Sequence, residues 1–364
     1  MANLRARVFQ KDLPDWFTRH RRDLPWRHNR TAYRVWVSEL MLQQTRVDQA
    51  IGYYERFMAR FPDVRALAAA GRDEVMKLWE GLGYYSRAQR AHATARHLVE
   101  QRGGAFPDTY EGLLELPGIG PYTAAAIASL AFGRDHAVLD GNVIRVMSRV
   151  LAEEGAPNTP AVKRRLQEAL DAVLPRGKAA VFNEAMMELG ALVCTPTKPQ
   201  CLVCPLRKVC QASAQGRAED FPTRVPKKKL PHRDVGAGVI INDRGEVLIA
   251  QRKETSMLGG LWEFPGGGVE AGETLPECIA RELHEELGLR TKVGPHLVTV
   301  RHTFSHFRMD LHAYWVRVQR GKPKALGCAD WAWVPVARIG DHALPRADQK
   351  ILAALLKHGE WPVF

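Results

Sequence analysis

The sequence predicts a multidomain chain: an all-α domain followed by a smaller mixed α/β domain. Three observations predict it. Its 364 residues exceed the roughly 100–200 of an ordinary domain. Apolar residues recur at spacings of three and four from Tyr33 to about Ala214, then give way beyond Asp234 to short β-type runs. A basic stretch punctuated by prolines separates the two patterns. The predicted boundaries are therefore 1–214 for the helical domain, 215–233 for a linker and 234–364 for the α/β domain. Apolar residues make up 46% and charged residues 25%, which argues against wholesale disorder. The longest apolar run, Ala124 to Phe132, falls short of the roughly 18 residues a membrane span needs, so no membrane partner is expected. The formal net charge of +12 points to a polyanion, nucleic acid ahead of a membrane surface.

The opening stretch, Met1 to Arg30, is rich in arginine but carries Asp12, Asp15 and Asp23 and lacks an apolar secretory core. It reads as mature protein, with a cytoplasmic location and a monomeric chain as the expectation. The first helix of interest carries Glu39. Val35, Trp36 and Leu42 share its face at i−4, i−3 and i+3, with Gln43 at i+4. A carboxyl against that apolar wall resists ionisation and is predicted to hold its proton near neutral pH. Further on, Leu116 to Ala124 joins two helical stretches through a tight turn. Gly118 and Gly120 there can bring bare backbone N–H groups to a phosphate at the start of the next helix, although the run also reads as an ordinary helix–helix turn.

Asp140-Gly141-Asn142 precedes an amphipathic helix predicted over 142–152, with Val143, Val146, Met147, Val150 and Leu151 on one face and Arg145 and Arg149 on another. Asp140 would face the positive helix end and free N–H groups, which favour its ionised form; plain N-capping is its structural role. One protonated carboxyl and one permanent anion suit cleavage of a glycosidic bond through an oxocarbenium-like state.

Of six cysteines, Cys194, Cys201, Cys204 and Cys210 crowd together, while Cys278 and Cys328 stand alone. That is poor disulfide arithmetic and fits a reducing compartment with one thiolate-ligated centre. Four thiolates suit tetrahedral Zn²⁺ or an iron–sulfur cluster; a single close pair, Cys201 and Cys204, favours iron. Pro196, Pro199 and Pro205 stiffen the loop, and Lys198, Arg207 and Lys208 offer cations to phosphates. The stretch 215–233 contains Pro222, Pro226 and Pro231, with six basic residues, Lys227, Lys228 and Lys229 among them, against two acidic ones. It reads as an extended interdomain linker beside a polyanion or, equally, as a solvated tether. Past it, Val235–Ile241 and Val247–Ala250 are predicted strands joined as a hairpin by Asn242-Asp243-Arg244-Gly245. A helix over Leu275–Leu287 follows, then strands near Leu297–His302, Asp310–Val318 and Trp331–Val334.

The run from Trp36 to Val47, with its Glu39-Leu40-Met41-Leu42-Gln43-Gln44-Thr45, resembles that of MutY-type adenine DNA glycosylases. So do Gly81 to Arg87, the Leu116–Ala124 hairpin, Asp140-Gly141-Asn142-Val143 and the cysteine spacing, which together span nearly the whole chain. The resemblance implies a helix-hairpin-helix DNA glycosylase fold whose four cysteines hold a [4Fe–4S] cluster. It implies that Glu39 protonates a flipped adenine and later directs water, that Asp140 stabilises the oxocarbenium ion, and that Asn142 supports that site. Tyr122 stands where related glycosylase/lyases of the endonuclease III type carry lysine, which implies a monofunctional enzyme without a Schiff-base nucleophile. Gln44, Thr45, Tyr84, Gly118 and Gly120 would contact DNA, with Gln44 and Tyr84 filling the stack after the base flips.

The C-terminal part resembles the Nudix-like lesion reader fused to this family. Ser305 would contact 8-oxoguanine, with Phe304 and His306 positioning it. The implied reaction removes adenine mispaired with 8-oxoguanine or guanine in double-stranded DNA. A thymine or oxidised-pyrimidine glycosylase on the same scaffold, or a noncatalytic iron–sulfur DNA-binding sensor, would share many of these residues. Gly267-x5-Glu273-x7-Arg281-Glu282-Leu283-x-Glu285-Glu286-x-Gly288-Leu289 further matches the Nudix hydrolase motif. Glu282, Glu285 and Glu286 are predicted to crowd one helix flank and repel unless Mg²⁺ binds, with slow cleavage of oxidised nucleoside triphosphates as the corresponding expectation. Alternatively the box only supports the lesion-reading loop, with its acids solvated.

Overall fold

The computed structural model describes residues 7–224, 229–358, 362 and 364. By packing, the chain falls into two units, Met1–Ala69 with Ala93–Lys227 and Ala70–His92 with Lys228–Phe364. The sequence reading kept Ala70–His92 with the helical domain; its packing puts it with the C-terminal residues. Among the described residues no helix is long and apolar enough to cross a membrane.

Local chemistry sets the helix starts of the first unit. Thr31, Thr159 and Asp140 accept a hydrogen bond from the third residue of helices Ala32–Leu42, Pro160–Asp171 and Gly141–Leu151, satisfying donors the helix cannot use. Helix Gly141–Leu151 ends at Ala152 in a left-handed conformation, one residue from the predicted limits. Its apolar face, Val143, Val146, Met147 and Val150, meets Phe182, Ala185, Met186 and Leu189 of helix Ala179–Leu192, with Phe9, Leu13 and Phe17 joining the same core. Each large apolar side chain buried there contributes about 1.5–3 kcal/mol.

The segment leading to Asp140 is held by Asn183, which is fully buried. Its Oδ1 accepts from Val138 N–H (3.0 Å), and its Nδ2 donates to Ser129 Oγ (2.9 Å) and His136 O (2.8 Å).

The predicted tether is partly structured. Ala218–Asp220 forms a 3₁₀ turn, Phe221 is buried, and its carbonyl accepts from Arg149 Nε at 2.9 Å. Thr223 Oγ1 donates to Glu154 O. An apolar ring and a buried guanidinium needing acceptors outweigh the prolines in this stretch. Pro226, Lys227 and Lys228 lie outside the described residues.

The second unit has strands β1 (His232–Ile240), β2 (Glu246–Gln251), β3 (Trp262–Glu263), β4 (Gly266–Gly268), β5 (Arg290–Thr303), β6 (Arg308–Arg320) and β7 (Asp330–Pro335). They form two sheets, ordered β4-β1-β6-β5 and β3-β2-β7, in which β1 and β6 are parallel. The turn predicted at Asn242–Gly245 is present, with Asn242 Oδ1 accepting from Arg244 and Glu246 N–H. The expected β1–β2 hairpin is not. One bridge, Ile241 to Val247, joins the strands before they part into different sheets. The turn signal fixes the reversal, whereas each strand's partner is chosen by burial on both of its faces.

Helix Leu275–Leu287 begins with a capping box between Thr274 and Glu277 and ends at Gly288 with φ +68. Its Ile279, Leu283 and Leu287 pack with Ile240 and Val316. A helix the sequence reading did not identify, Arg346–His358, buries Ile351 and Leu355. Helix Arg72–Trp79 and the turn after it pack within this unit, with Asp73 Oδ2 3.4 Å from Trp262 Nε1 and Leu344 N–H donating to Glu80 Oε1 at 2.7 Å.

Asn183→Leu removes three buried hydrogen bonds and strands their partners. It should lower the unfolding free energy in urea by about 3 kcal/mol; a change under about 0.5 kcal/mol would mean the segment before Asp140 is held by packing alone.

Candidate active site

Glu39, Tyr122, Asp140 and Asn142 line one cavity of about 150 Å³, with Thr45 at its edge. They arrive from helix Ala32–Leu42, the first turn of helix Pro121–Leu130, and the cap and first turn of helix Gly141–Leu151. Glu39 is 4% exposed. Burial pushes its carboxyl up to about 7, the Tyr122 hydroxyl pulls it back by donating to Oε2, and the charges of Asp140 and Glu184 push it up again. The sequence reading of a neutral acid rested on the helix's own apolar face; like-charged carboxyls from two other helices add to it.

Asp140 departs from expectation. Its Oδ1 accepts from Val143 N–H at 2.6 Å and its Oδ2 from Asn142 Nδ2 at 2.9 Å, as a helix N-cap should. Yet burial, which disfavours charge, outweighs these bonds and the Arg145 guanidinium, and its pKa is raised. The two carboxyls therefore differ in partners rather than in depth. Glu39 faces anions and a phenol, while Asp140 is surrounded by groups that stabilise its anion.

Asn142 is oriented from behind. Its Oδ1 accepts from Arg145 Nη2 at 2.9 Å, and the same guanidinium donates to Gly190 O (2.7 Å) and Cys194 O (2.8 Å). A Cβ on Gly190 would lie 2.6 Å from Asn142 Cβ, so only glycine lets the two helices approach this closely.

Sequence reasoning missed a buried ion network on the same cavity. Glu188 accepts from Arg22 (2.8 and 2.9 Å) and Arg27 (3.0 Å); Glu184 accepts from Arg27 (3.1 Å) and Arg30 (2.8 Å). Burial would push the Glu188 carboxyl up, but Arg22 and Arg27 hold it down at about 2. The available signal was two carboxylates at i and i+4 on a helix that is apolar apart from them and Asn183.

The four clustered cysteines line one small cavity. Four soft sulfur ligands on one compact loop could hold tetrahedral zinc or an iron–sulfur cluster. Burial, with the neighbouring cysteines, pushes the Cys204 thiol up to about 12, so thiolates there need cationic metal. Arg149 Nη1 sits 3.2 Å from Cys194 Sγ and donates to Thr195 O at 2.7 Å.

The other predicted contacts occupy exposed turns. Gly118 (φ +78) and Gly120 are exposed, and Gly120 caps helix Pro121–Leu130. Gln44 is exposed with φ +58. In the second unit Tyr84, 46% exposed with φ +47, lies under the Arg87 guanidinium (5.6 Å), whose charge burial disfavours. A left-handed backbone is uncommon for a bulky residue and marks both turns. Ser305 and His306 are exposed at the tip of the β5–β6 hairpin, where Phe304 N–H donates to Phe307 O and the Phe304 ring packs on Phe307.

The Nudix acids are not simply a self-repelling flank. Arg281 bridges Glu273, Glu282 (3.0 Å) and Glu285 (3.3 Å). Glu286 is instead turned inward. Burial and the charges of Glu263 and Glu282 push it up to about 7, and its Oε2 is buried without a hydrogen-bond partner among the described residues.

Residues 37–172 match the family described as HhH-GPD superfamily base excision DNA repair protein, and residues 236–354 match the NUDIX domain. A thermostable thymine-DNA glycosylase is similar in structure, with a TM-score of 0.54 and 30% identity over 58% of this chain and 98% of its own. These matches make the protein a base-excision DNA glycosylase joined to a Nudix-like domain. The adenine DNA glycosylase of Rattus norvegicus is 34% identical over 96% of this chain and 78% of its own length, and that of Buchnera aphidicola from Acyrthosiphon pisum is 31% identical over 96% and 98%. The chain belongs to the adenine DNA glycosylase family.

Gly190→Ala forces Asn142 aside. It should cost about 1–3 kcal/mol of stability and slow base release by at least about tenfold. Unchanged single-turnover rates would show that Asn142 needs no such positioning.

Proposed function

We propose that the protein excises adenine paired with 8-oxoguanine or guanine from double-stranded DNA, acting as a monomeric, monofunctional glycosylase. The observation that carries this reading is one cavity that brings the buried Glu39 carboxyl, pushed up to about 7, together with Asp140, Asn142 and Tyr122. Protonated Glu39 gives its proton to the flipped adenine, and the base departs as the C1′–N9 bond breaks. Asp140 faces the resulting oxocarbenium ion, with its orientation fixed by Val143 N–H and Asn142. Glu39, now a carboxylate, takes a proton from the water that adds to C1′. Tyr122 offers no amine to capture C1′, so strand cleavage lacks its nucleophile.

Backbone N–H groups at Gly118 and Gly120 would hold phosphate, Gln44 and Tyr84 would fill the emptied stack with Thr45 beside the cavity, and Ser305, set by Phe304 and His306, would read 8-oxoguanine. Cys194, Cys201, Cys204 and Cys210 would hold a [4Fe–4S] cluster, which would brace the loop carrying Lys198, Arg207 and Lys208. The buried Oε2 of Glu286 favours a second activity on the Nudix-like unit. Mg²⁺ there would be held by Glu282 and Glu286, with Glu285 after release from Arg281, and would neutralise a nucleoside triphosphate. Magnesium should then raise the melting temperature of the wild type but not of Glu286→Gln.

Single-turnover assays on duplexes containing A:8-oxoG, A:G, T:G and oxidised pyrimidines test the main reading. Adenine should be released from the first two alone. Glu39→Gln and Asp140→Asn should each slow release by about 10²–10⁴-fold while mismatch binding persists; release of thymine, or near-wild-type rates in either variant, would overturn it. Because protonated Glu39 and ionised Asp140 act together, the rate should fall about tenfold per unit above about pH 7 and fall again in acid, where the raised Asp140 carboxyl takes up its proton. Purified protein should contain iron, and Cys201→Ser should lose iron and DNA binding together; stoichiometric zinc without iron would contradict the cluster.

A further inference from the structure

The first residues of β1 and β6 build a second constellation of ligating side chains, away from the cysteines and the Nudix acids. The strands run parallel with Asp234 opposite Asp310, His232 opposite Arg308, and Gly236 opposite His312. Partners in register project to one face, and the two-residue pleat places His232, Asp234, Asp310 and His312 on that same face. Gly236 and Gly238 continue it, and their missing Cβ atoms make room for Ile279 and Leu283 of helix Leu275–Leu287. The helix covers the glycine end of the face and leaves the His/Asp end open. The side chains of His232 and Asp234 are about half exposed, and those of His312 and Asp310 are mostly buried.

Two carboxylates directly opposite on neighbouring strands repel one another. Here one donor atom each from His232, Asp234 and Asp310 lies within 4.8 Å of the others. His232 Nε2 is 3.6 Å from Asp310 Oδ1, and His312 Nε2 is 3.2 Å from Asp234 Oδ1. Arg301 Nε approaches the other Asp310 oxygen at 3.6 Å from an almost fully exposed position.

The second histidine is oriented from behind. Thr299 Oγ1 lies 2.9 Å from both His312 Nδ1 and His296 Nε2. A hydroxyl has one proton, and Thr299 can share it in two ways. Given to His312 Nδ1, it leaves His312 Nε2–H donating to Asp234; given to His296, it leaves Thr299 accepting from His312 Nδ1–H, with the Nε2 lone pair beside Asp234 Oδ1. The second arrangement is the one that ligates a cation shared with Asp234.

We propose that His232, Asp234, Asp310 and His312 form a binding site for a divalent transition-metal cation of the zinc type. Two imidazole nitrogens and two carboxylate oxygens make a four-coordinate donor set that suits Zn²⁺ and disfavours Mg²⁺ and Ca²⁺, which take oxygen ligands. Thr299 acts as the outer partner that fixes the His312 tautomer. Such an ion would fasten the start of β1 to the start of β6. Arg308 N–H already donates to Pro231 O at 2.8 Å there, and the hairpin tip carrying Ser305 and His306 begins two residues earlier.

Equilibrium dialysis of the full, iron-loaded chain against Zn²⁺, with Mg²⁺ as control, tests this. Wild type should bind one zinc more than either Asp310→Asn or His312→Gln, with at least about tenfold weaker binding in each variant. Iron content and zinc-free melting temperature should be the same in all three. Amide exchange at Arg308–Leu311 should slow on adding zinc in the wild type alone. Equal zinc uptake by the wild type and both variants, or no uptake by the wild type beyond that of Mg²⁺, would overturn the site. If one variant fails to fold, the other decides.

Discussion

Helix Gly141–Leu151 is the constraint on which the first unit depends. Its first turn supplies the N–H that holds Asp140, Asn142 and Arg145 follow within a turn, and Arg149 reaches the cysteine loop and Phe221. These groups sit on different faces of one rod, with the apolar face packed against helix Ala179–Leu192. A shift by one residue would rotate the rod by about 100°. It would expose Val146 and Val150 and strand Arg149, whose buried donors have carbonyls of Thr195, Pro196 and Phe221 as acceptors. Packing and polar satisfaction thus select one register, and that register delivers Asp140 and Asn142 to the cavity.

The chemistry of the cavity follows from unequal surroundings at similar depth. Burial raises both Glu39 and Asp140. What separates them is that Asp140 receives a backbone N–H, an amide and the field of Arg145, whereas Glu39 faces Asp140 and Glu184. An ionised Asp140 therefore favours a neutral Glu39, and the pair holds one proton where a leaving base needs it. Close by, Arg22, Arg27 and Arg30 neutralise Glu184 and Glu188 with nearly every charge hydrogen-bonded, the condition under which buried ion pairs are tolerated. Behind Asn142, the Arg145 guanidinium ties the same site to the carbonyl of Cys194, so the loop that would carry the cluster and the cavity share one hydrogen-bond path.

Much of this was legible in the sequence wherever one element determines its own environment. The apolar neighbours of Glu39 lie on its own helix, Asp140 caps its own helix, and the cysteine spacing marks one loop. What escaped depends on residues far apart in the chain. Glu188 and Arg22 are separated by 166 positions, and nothing in either local pattern names the other. The burial that raises the Asp140 carboxyl escaped for the same reason: a helix end is visible in sequence, but the depth at which other helices bury it is not. In the second unit the turn at Asn242–Gly245 was clear, yet the choice of β6 and β4 as partners of β1 was not, because pairing is decided between sheets. Likewise Arg281 was visible as a motif position, but not its bridging of three carboxylates.

The central claim is that the fold raises Glu39 until it still carries a proton in a substantial fraction of molecules near neutral pH, while Asp140 stays the better-stabilised anion. Carboxyl carbon-13 NMR titration of the intact protein, with Glu39→Gln to assign the resonance, tests it most directly. The account predicts a Glu39 transition near pH 7 that moves lower in Asp140→Asn, where the neighbouring charge is gone. A Glu39 transition at the value of an exposed glutamate, about 4.3, or one unmoved by Asp140→Asn, would contradict it.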